Sequence, residues 1–404
     1  MEYIAGGVTA PKGFKAGGVH CGIRKNKSKK DLALIVSDVM CSAAAVYTKN
    51  LVKGAPLYVT MENLKDGKAK AVICNSGNAN TCNANGIEIA KGMCDLVAGL
   101  GVCESSDVIV ASTGVIGQPL SLEPMKNAIG DLYKSISYEG SLSACEAIMT
   151  TDTVVKEAAV EFEIMGKVAR IGGIAKGSGM IHPNMATMLV FITSDVAISP
   201  NMLAVAVKED VKRTFNMISV DGDTSTNDML SVMANGLCGN EEIKEDGEAF
   251  KAFKKALNMV TSKLCRMIAK DGEGATKLLE CKVSGAKTEE DARVVAKSVI
   301  TSSLFKAAMF GADANWGRVL CAIGYSGADV DVTKVDVAFK SAAGEIMVCS
   351  SGAGVDFDED KAKKILLESE IEIIIGLNDG SGYATAWGCD LTYDYVKING
   401  DYRT

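Results

Sequence analysis

The strongest constraint on the fold is an alternation, through the first half of the chain, of strand-length apolar runs with loops rich in Gly, Asn and Ser. LALIVSD (32–38), AKAVICNSGNAN (69–80) and DVIVASTGVIG (107–117) each have an aliphatic centre and run into turn residues, the pattern of strands ending in loops. Between them Ile89, Ala90, Met93, Leu96, Val97 and Leu100 recur at helical spacing, which predicts an amphipathic helix over 86–100. Strands alternating with helices imply mixed α and β layers. Val160, Phe162 and Ile164 alternate with Glu161 and Glu163, and Gly166 allows a turn into KVARIGGIA, so a hairpin with one wet face is expected. After MATMLVFITSD (185–195), Ser199 and Pro200 supply an N-cap and a first-turn proline for a helix toward Phe215. A longer helix is expected where Phe250, Phe253, Leu257, Val260, Leu264 and Met267 step by three or four, stopping at Lys270-Asp271-Gly272. A fresh strand–helix succession from about Leu278 suggests two domains, 1–276 and a smaller one over 277–404.

Composition narrows the function. The 404 residues carry 43 basic and 50 acidic side chains, a formal charge of −7, which argues against a dedicated nucleic-acid binder. The apolar runs at 32–36 and 188–192 are far shorter than the ~20 residues of a membrane span. MEYIAGGVTAPKGFKAGGVH has no charged leader followed by an apolar stretch, so a cytoplasmic location is expected. The 13 cysteines contain no C-x-x-C pair and read as reduced, mostly buried small hydrophobes. With only His20 and His182 available, chemistry built on clustered histidines has almost no raw material.

The segment GGIAKGSGMIHPNMATML (172–189) places four glycines in eight residues before a proline and a β-rich run. One reading is a tight connection between core strands. Another is phosphate binding, because Arg170, Gly173 and Ala175 fit an R-x-x-G-x-A loop; that site needs a helix to begin at the loop, and a β-rich run follows instead. In DGDTSTND (221–228), Asp221, Asp223 and Ser225 fit the first odd positions of a calcium loop. Thr226 stands where its glycine belongs and Val232 where its glutamate belongs, so no metal is expected. The stretch is read instead as a capped loop lining the site and entering a helix over 227–235.

Around Ala186-Thr187 the sequence resembles the self-cleavage site of the ornithine acetyltransferase family, the bifunctional glutamate N-acetyltransferases of arginine biosynthesis. GGVTAPKGF (6–14), NSGNAN (75–80), STGVIG (112–117), TTDT (150–153), KGSGMIHPNMATM (176–188), DGDTSTND, DGEGATK (271–277), GADANWGR (311–318) and the terminal NGDYRT look like that family's motifs in its order. The resemblance covers essentially the whole chain.

It implies that the precursor cuts its own backbone between Ala186 and Thr187. Cleavage frees the α-amine of Thr187, whose unperturbed pKa of about 8 suits a proton acceptor beside its own hydroxyl nucleophile. Taken alone, Thr187 is an ordinary β-branched strand residue. By resemblance Thr113 and Gly114 form the oxyanion hole, which acyl transfer needs as fixed donors. Thr150, Lys176, Thr187, Glu273, Asn399 and Thr404 match the family's substrate positions, with Lys176 suited to a carboxylate and Glu273 to the ornithine ammonium. Read bare, Lys176 and Glu273 would be solvated surface charges. Asn399 and Thr404 require the C-terminal tail to return to the pocket. His182, five residues before the scissile bond, is expected to make a structural hydrogen bond.

The resemblance also implies the fold, an α+β layered sandwich of the type shared with self-processing aminopeptidases, with a smaller α+β C-terminal domain. It implies acetyl transfer from N-acetylornithine to glutamate by a ping-pong route, with no cofactor and acetyl-CoA only as an alternative donor in some members. The cleaved chains are expected to pair as a heterotetramer of two α and two β chains. Two rival classes are an aminopeptidase or amidase that gives the same acyl-enzyme to water, and a binding module that stays uncut and turns nothing over.

Overall fold

The computed structural model describes residues 1–182 and 188–400. Two sheets organise them. The larger is built from β1 (Glu2–Ile4), β2 (Phe14–Val19), β3 (Leu32–Tyr47), β4 (Lys68–Asn78), β5 (Val108–Val115), β6 (Lys156–Ile164), β7 (Lys167–Lys176), β8 (Leu189–Ser194) and β10 (Met229–Ala234). Its order is β1-β6-β7-β8-β10-β3-β4-β5, with β2 pairing the first part of β3. The smaller sheet contains β9 (Ile218–Ser219), β11 (Leu278–Ala286), β12 (Asp336–Ser341), β13 (Gly344–Ser350), β14 (Ala353–Gly354), β15 (Glu370–Gly376) and β16 (Gly382–Cys389), in the order β14-β13-β12-β15-β11-β16-β9.

Local sequence explains most of the elements. β6 and β7 form the expected hairpin, pairing Ile164 with Lys167 across Met165-Gly166. Both turn residues have positive φ, 48° and 72°, which turns the chain with the right-handed twist of the strands. The helix Gly86–Ala98 buries Ile89, Ala90, Met93 and Val97. The helix Pro200–Arg213 starts at Ser199, whose hydroxyl accepts from the Met202 amide. The helix Glu248–Lys270 buries Phe250, Phe253, Leu257, Val260 and Leu264 along one stripe.

That last helix lies between the sheets, touching β6 and β7 on one side and β11 and β16 on the other. One apolar cluster therefore runs from Val160 and Val190 through Leu264 to Val283 and Trp387. The other side of the larger sheet is covered by the helices Ala55–Asn63, Gly86–Ala98, Glu123–Ser135 and Ser141–Ile148, with Leu57, Met93, Met125 and Ile148 buried. The result is the layered α+β architecture expected from the sequence. Nine of the thirteen cysteines are buried and all are free thiols. Among the described residues no helix is long and apolar enough to cross a membrane.

The helix expected over 227–235 is absent, and β10 takes its place. Met229–Ala234 is buried at every position, paired parallel to β8 and antiparallel to β3. A strand buried on both faces shows no polar alternation, so its apolar run imitates one turn after another of a buried helix. β8 and β10 sit side by side at the centre of the sheet, between β7 and β3. Arg170, Gly173 and Ala175 all lie within β7, so no helix begins at that motif.

Candidate active site

The ends of β4 and β5 run parallel, with Gly77 beside Gly114. Gly114 has φ +133°, and a Cβ there would stand 2.3 Å from the Gly77 carbonyl carbon and 2.5 Å from the Asn78 nitrogen. Only glycine fits this approach of two backbones. The asparagines of the first motif hold the turn. Asn75 Oδ1 accepts from the Ser112 hydroxyl at 2.5 Å, Asn75 Nδ2 donates to the Asn78 carbonyl, and Asn78 Oδ1 accepts from the Asn80 amide. Asn227 reaches in from the 221–228 loop, donating to the carbonyls of Ala79 at 2.6 Å and Ser112 at 2.9 Å. That loop thus braces the strand end that carries Thr113 and Gly114.

The remaining Asp221 and Asp223 do not form a cation cage. Asp221 accepts from the amides of Met180 at 2.6 Å and Ile181 at 2.9 Å, and from the Tyr395 hydroxyl at 3.3 Å. It ties the loop 177–182 to the C-terminal helix Tyr393–Asn399. Among the described residues no group of three His, Cys, Asp or Glu is placed to hold a metal.

Lys176 ends β7 opposite Leu189 of β8 and is buried, not solvated. Its ammonium lies 3.9 Å from Asp152 Oδ2. Asp152 is sealed from solvent and accepts from Lys156 Nζ at 2.7 Å, the Gly177 amide at 2.7 Å and the Thr150 amide at 2.9 Å. Burial alone would raise its carboxyl, but the Lys176 and Lys156 ammoniums and these hydrogen bonds outweigh it and hold the group well below the usual carboxylate range. Lys156 also reaches Asp271 Oδ2 at 2.5 Å, and Asp271 accepts from the Thr153 amide and hydroxyl.

Glu273 is buried as well, at 8% exposure, where residue type alone predicts a solvated charge. Its amide donates to the Ser178 carbonyl at 2.9 Å, and a Cβ on Gly179 would fall 2.3 Å from its carboxylate. Asn399 Nδ2 donates to Glu273 Oε2 at 2.8 Å, so the C-terminal helix does return to this place. The Thr392 hydroxyl, donating to the Gly274 carbonyl at 2.7 Å, fixes the start of that helix.

Thr150, Lys176, Glu273 and Asn399 therefore gather around the strand β7 end and the 177–182 loop. Thr113 and Gly114 are joined to the same region through Asn227 and the 221–228 loop. Ala186, Thr187 and Thr404 lie outside the described residues. Their flanks are placed: Met188 accepts from the Met229 amide at 2.8 Å, and His182 Nδ1 lies 3.1 Å from the Ser219 hydroxyl. Burial, helped by the Lys297 charge and opposed by Asp221, lowers His182 to about 4, so it is a neutral hydrogen-bonding group at pH 7.

Asp152, Lys156, Asp271, Asn227 and Asp228 escaped the sequence reading, although all but Lys156 stand inside motifs it singled out. Two buried side-chain atoms among the described residues have no hydrogen-bond partner, Ser178 Oγ and Asp228 Oδ2. Both belong to loops of this site, where an unpaired polar atom suits a bound polar ligand. A cavity of about 820 Å³ lined by Glu209, Arg213, Lys254, Glu289 and Tyr383 shares no residue with it.

Chemically the site offers a buried cation and a buried anion in separate places and a glycine-permitted backbone approach at Gly114. Such a pair of poles fits a small zwitterionic substrate. Comparison with known proteins finds close relatives over the whole chain. A sequence description of the ArgJ family matches residues 15–404. The chain is 54% identical over 405 residues to the arginine biosynthesis bifunctional protein ArgJ of Caldanaerobacter subterraneus subsp. tengcongensis, covering 100% of each. It is 48% identical to the protein of the same name from Bacillus subtilis, covering 99% of this chain and 97% of that one. A crystal structure of arginine biosynthesis bifunctional protein argJ from Bacillus halodurans matches at 44% identity and a TM-score of 0.50, covering 52% of this chain and 97% of that chain.

Proposed function

The chain belongs to the ArgJ family, and from that premise we propose that it cuts itself between Ala186 and Thr187 and moves acetyl from N2-acetyl-L-ornithine to L-glutamate through an acetyl ester on Thr187. It is an acetyltransferase of arginine biosynthesis. The observation that carries the substrate reading is the burial of Lys176 at the end of β7 and of Glu273 in the loop after the helix Glu248–Lys270, two opposite charges, with Asn399 of the tail bonded to the second.

The α-amine of Thr187 takes the proton of its own hydroxyl as the oxygen attacks the acetyl carbonyl. Negative charge develops on the carbonyl oxygen, and Thr113 and Gly114 stabilise it as the oxyanion hole. The carbon–nitrogen bond then breaks, the amine proton passes to the departing ornithine nitrogen, and the acetyl group remains on Thr187. Glutamate's amine attacks that ester and releases acetylglutamate, returning the proton to the hydroxyl. Lys176 meets the α-carboxylate of either substrate, and Glu273 meets the distal ammonium of ornithine. Thr150 and Thr404 complete the substrate contacts.

A cut after residue 186 leaves pieces of 186 and 218 residues. The almost fully matched Bacillus halodurans chain spans 52% of this one, close to the share of the longer piece. The central placement of β8 and β10 between strands of the first piece supports two products that stay together and pair further as a heterotetramer. The thirteen free thiols support a reducing compartment, the cytoplasm. The reaction uses no cofactor; acetyl-CoA enters only as a second acetyl donor, for which the relatives' description as bifunctional speaks.

Denaturing electrophoresis with N-terminal sequencing tests the reading. A second chain beginning Thr-Met-Leu-Val is expected, and Thr187→Ala stays whole and inactive. An uncut wild-type chain that transfers acetyl at full rate would sink the free-amine mechanism. Assays with acetylornithine plus glutamate, and separately acetyl-CoA plus glutamate, decide whether one donor or both are used.

A further inference from the structure

Lys156 is completely buried, and the mechanism above gives it nothing to do. Its ammonium bridges Asp152 Oδ1 at 2.7 Å and Asp271 Oδ2 at 2.5 Å. Burying a cation between two carboxylates is costly, and an aliphatic side chain would fill a core position with less penalty. Each carboxylate leads to one pole of the pocket. Asp152 lies against Lys176 and holds the amides of Thr150 and Gly177. Asp271 stands two residues before Glu273 and holds the Thr153 amide at 3.0 Å. Lys156 is thus the link between the segment that seats Lys176 and the loop that presents Glu273.

We propose that Lys156 is a specificity-determining positioning residue: the bridge Asp152–Lys156–Asp271 fixes the separation of Lys176 from Glu273, and with it the length of the diamino-acid chain that the pocket accepts. This rests on the reading of Lys176 and Glu273 as carboxylate and ammonium anchors. A substrate clamped at both ends by opposite charges is measured like a rod between two stops. A chain one methylene too long or too short leaves one charge short of its partner, or displaces the acetylated nitrogen from the nucleophile. A misplacement of about 1 Å at the reacting centre can cost ~10²-fold in rate, and one methylene in an apolar pocket discriminates ~10–200-fold.

The test compares kcat/KM for N2-acetylornithine, N2-acetyllysine (one methylene longer) and N2-acetyl-2,4-diaminobutyrate (one shorter) on the full, self-processed protein. Lys156→Arg keeps the charge balance and lengthens the bridge. It should raise acetyllysine relative to acetylornithine by about tenfold. The double variant Lys156→Met/Asp271→Asn removes the bridge while leaving Asp152 paired with Lys176, and it should flatten the preference among the three donors. A purely structural role for Lys156 lowers all three in the same proportion, and an unchanged ratio in Lys156→Arg overturns the proposal. Wild-type protein that turns over none of the three donors would instead overturn the anchor assignment beneath it.

Discussion

Replacing Gly114 with alanine is the sharpest single test of the acyl-transfer geometry. The new Cβ would meet the Gly77 carbonyl carbon at 2.3 Å, the Asn78 nitrogen at 2.5 Å and the Gly77 oxygen at 2.7 Å. All three are backbone atoms, so no side chain can swing away. Non-bonded carbons settle near ~3.5 Å, so the ends of β4 and β5 must part by about 1 Å. The φ of +133° adds backbone strain for any residue with a Cβ, of order 1–3 kcal/mol. The 114 amide moves with its strand, and loss of one oxyanion donor costs ~10²–10³ in turnover. We expect kcat per cleaved chain to fall by about that factor, with KM for acetylornithine within about threefold, because Lys176 and Glu273 sit on other elements. The assay is initial-rate ornithine release, normalised to the cleaved fraction on a denaturing gel. Gly117→Ala is the control: its φ is +77°, but nothing lies within 4 Å of its Cβ, so it should cost stability and leave turnover unchanged. A Gly114→Ala enzyme with kcat within threefold of wild type would refute the oxyanion assignment.

Other perturbations separate the remaining groups. Glu273→Gln keeps a partner for Asn399 but removes the counter-charge, and should raise KM for acetylornithine about 10–100-fold; steady-state kinetics showing an unaltered KM would remove Glu273 from the ammonium site. Burial pushes the Asp228 carboxyl well above its ordinary range, against smaller opposing pulls from Ser225 and Lys176. A raised folded-state carboxyl costs stability once pH exceeds the unfolded value of ~3.9. Asp228→Asn should therefore melt together with wild type in acid and progressively higher as pH rises toward 7; a lower melting temperature at pH 7 contradicts this. His182 is lowered to about 4, so its imidazole NMR signals should not titrate between pH 5 and 8. The neutral ring it requires contributes stability that is full above about 6.5 and lost as pH falls toward about 4.

Elements whose signals are local were legible in the sequence. Ser199 caps the helix Pro200–Arg213, and the apolar stripe from Phe250 ends with the helix at Lys270. The β6–β7 hairpin declares itself through polar alternation and Gly166. β10 does not, because MLSVMA is buried on both faces and follows Thr-Asn-Asp, residues that also cap helices. The site divides along the same line. Lys176 and Glu273 stood out only through family motifs, since their residue types belong on the surface. What buries them is a set of partners scattered along the chain. Asp152 and Lys156 are four residues apart on no helix, and Asp271 arrives 115 positions after Lys156. No local pattern announces that trio. Asn227 is likewise an ordinary loop asparagine until the tertiary fold sets it between Ala79 and Ser112.

The central placement of β8 and β10 also governs what the proposed cut between Ala186 and Thr187 would do to the enzyme. Both strands come from beyond residue 187, while their neighbours β7 and β3 come from before it. The precursor assembles this sheet as one molecule, at a rate that dilution does not touch. With the Ala186–Thr187 bond cut as proposed, unfolding would release two pieces that must find each other again, each exposing long unpaired strand edges open to wrong partners. Apparent stability then depends on protein concentration, and a melt is prone to aggregate instead of reversing. Processing is therefore a commitment in the kinetic sense. The uncut Thr187→Ala chain should refold from denaturant in dilute solution where the mature enzyme does not.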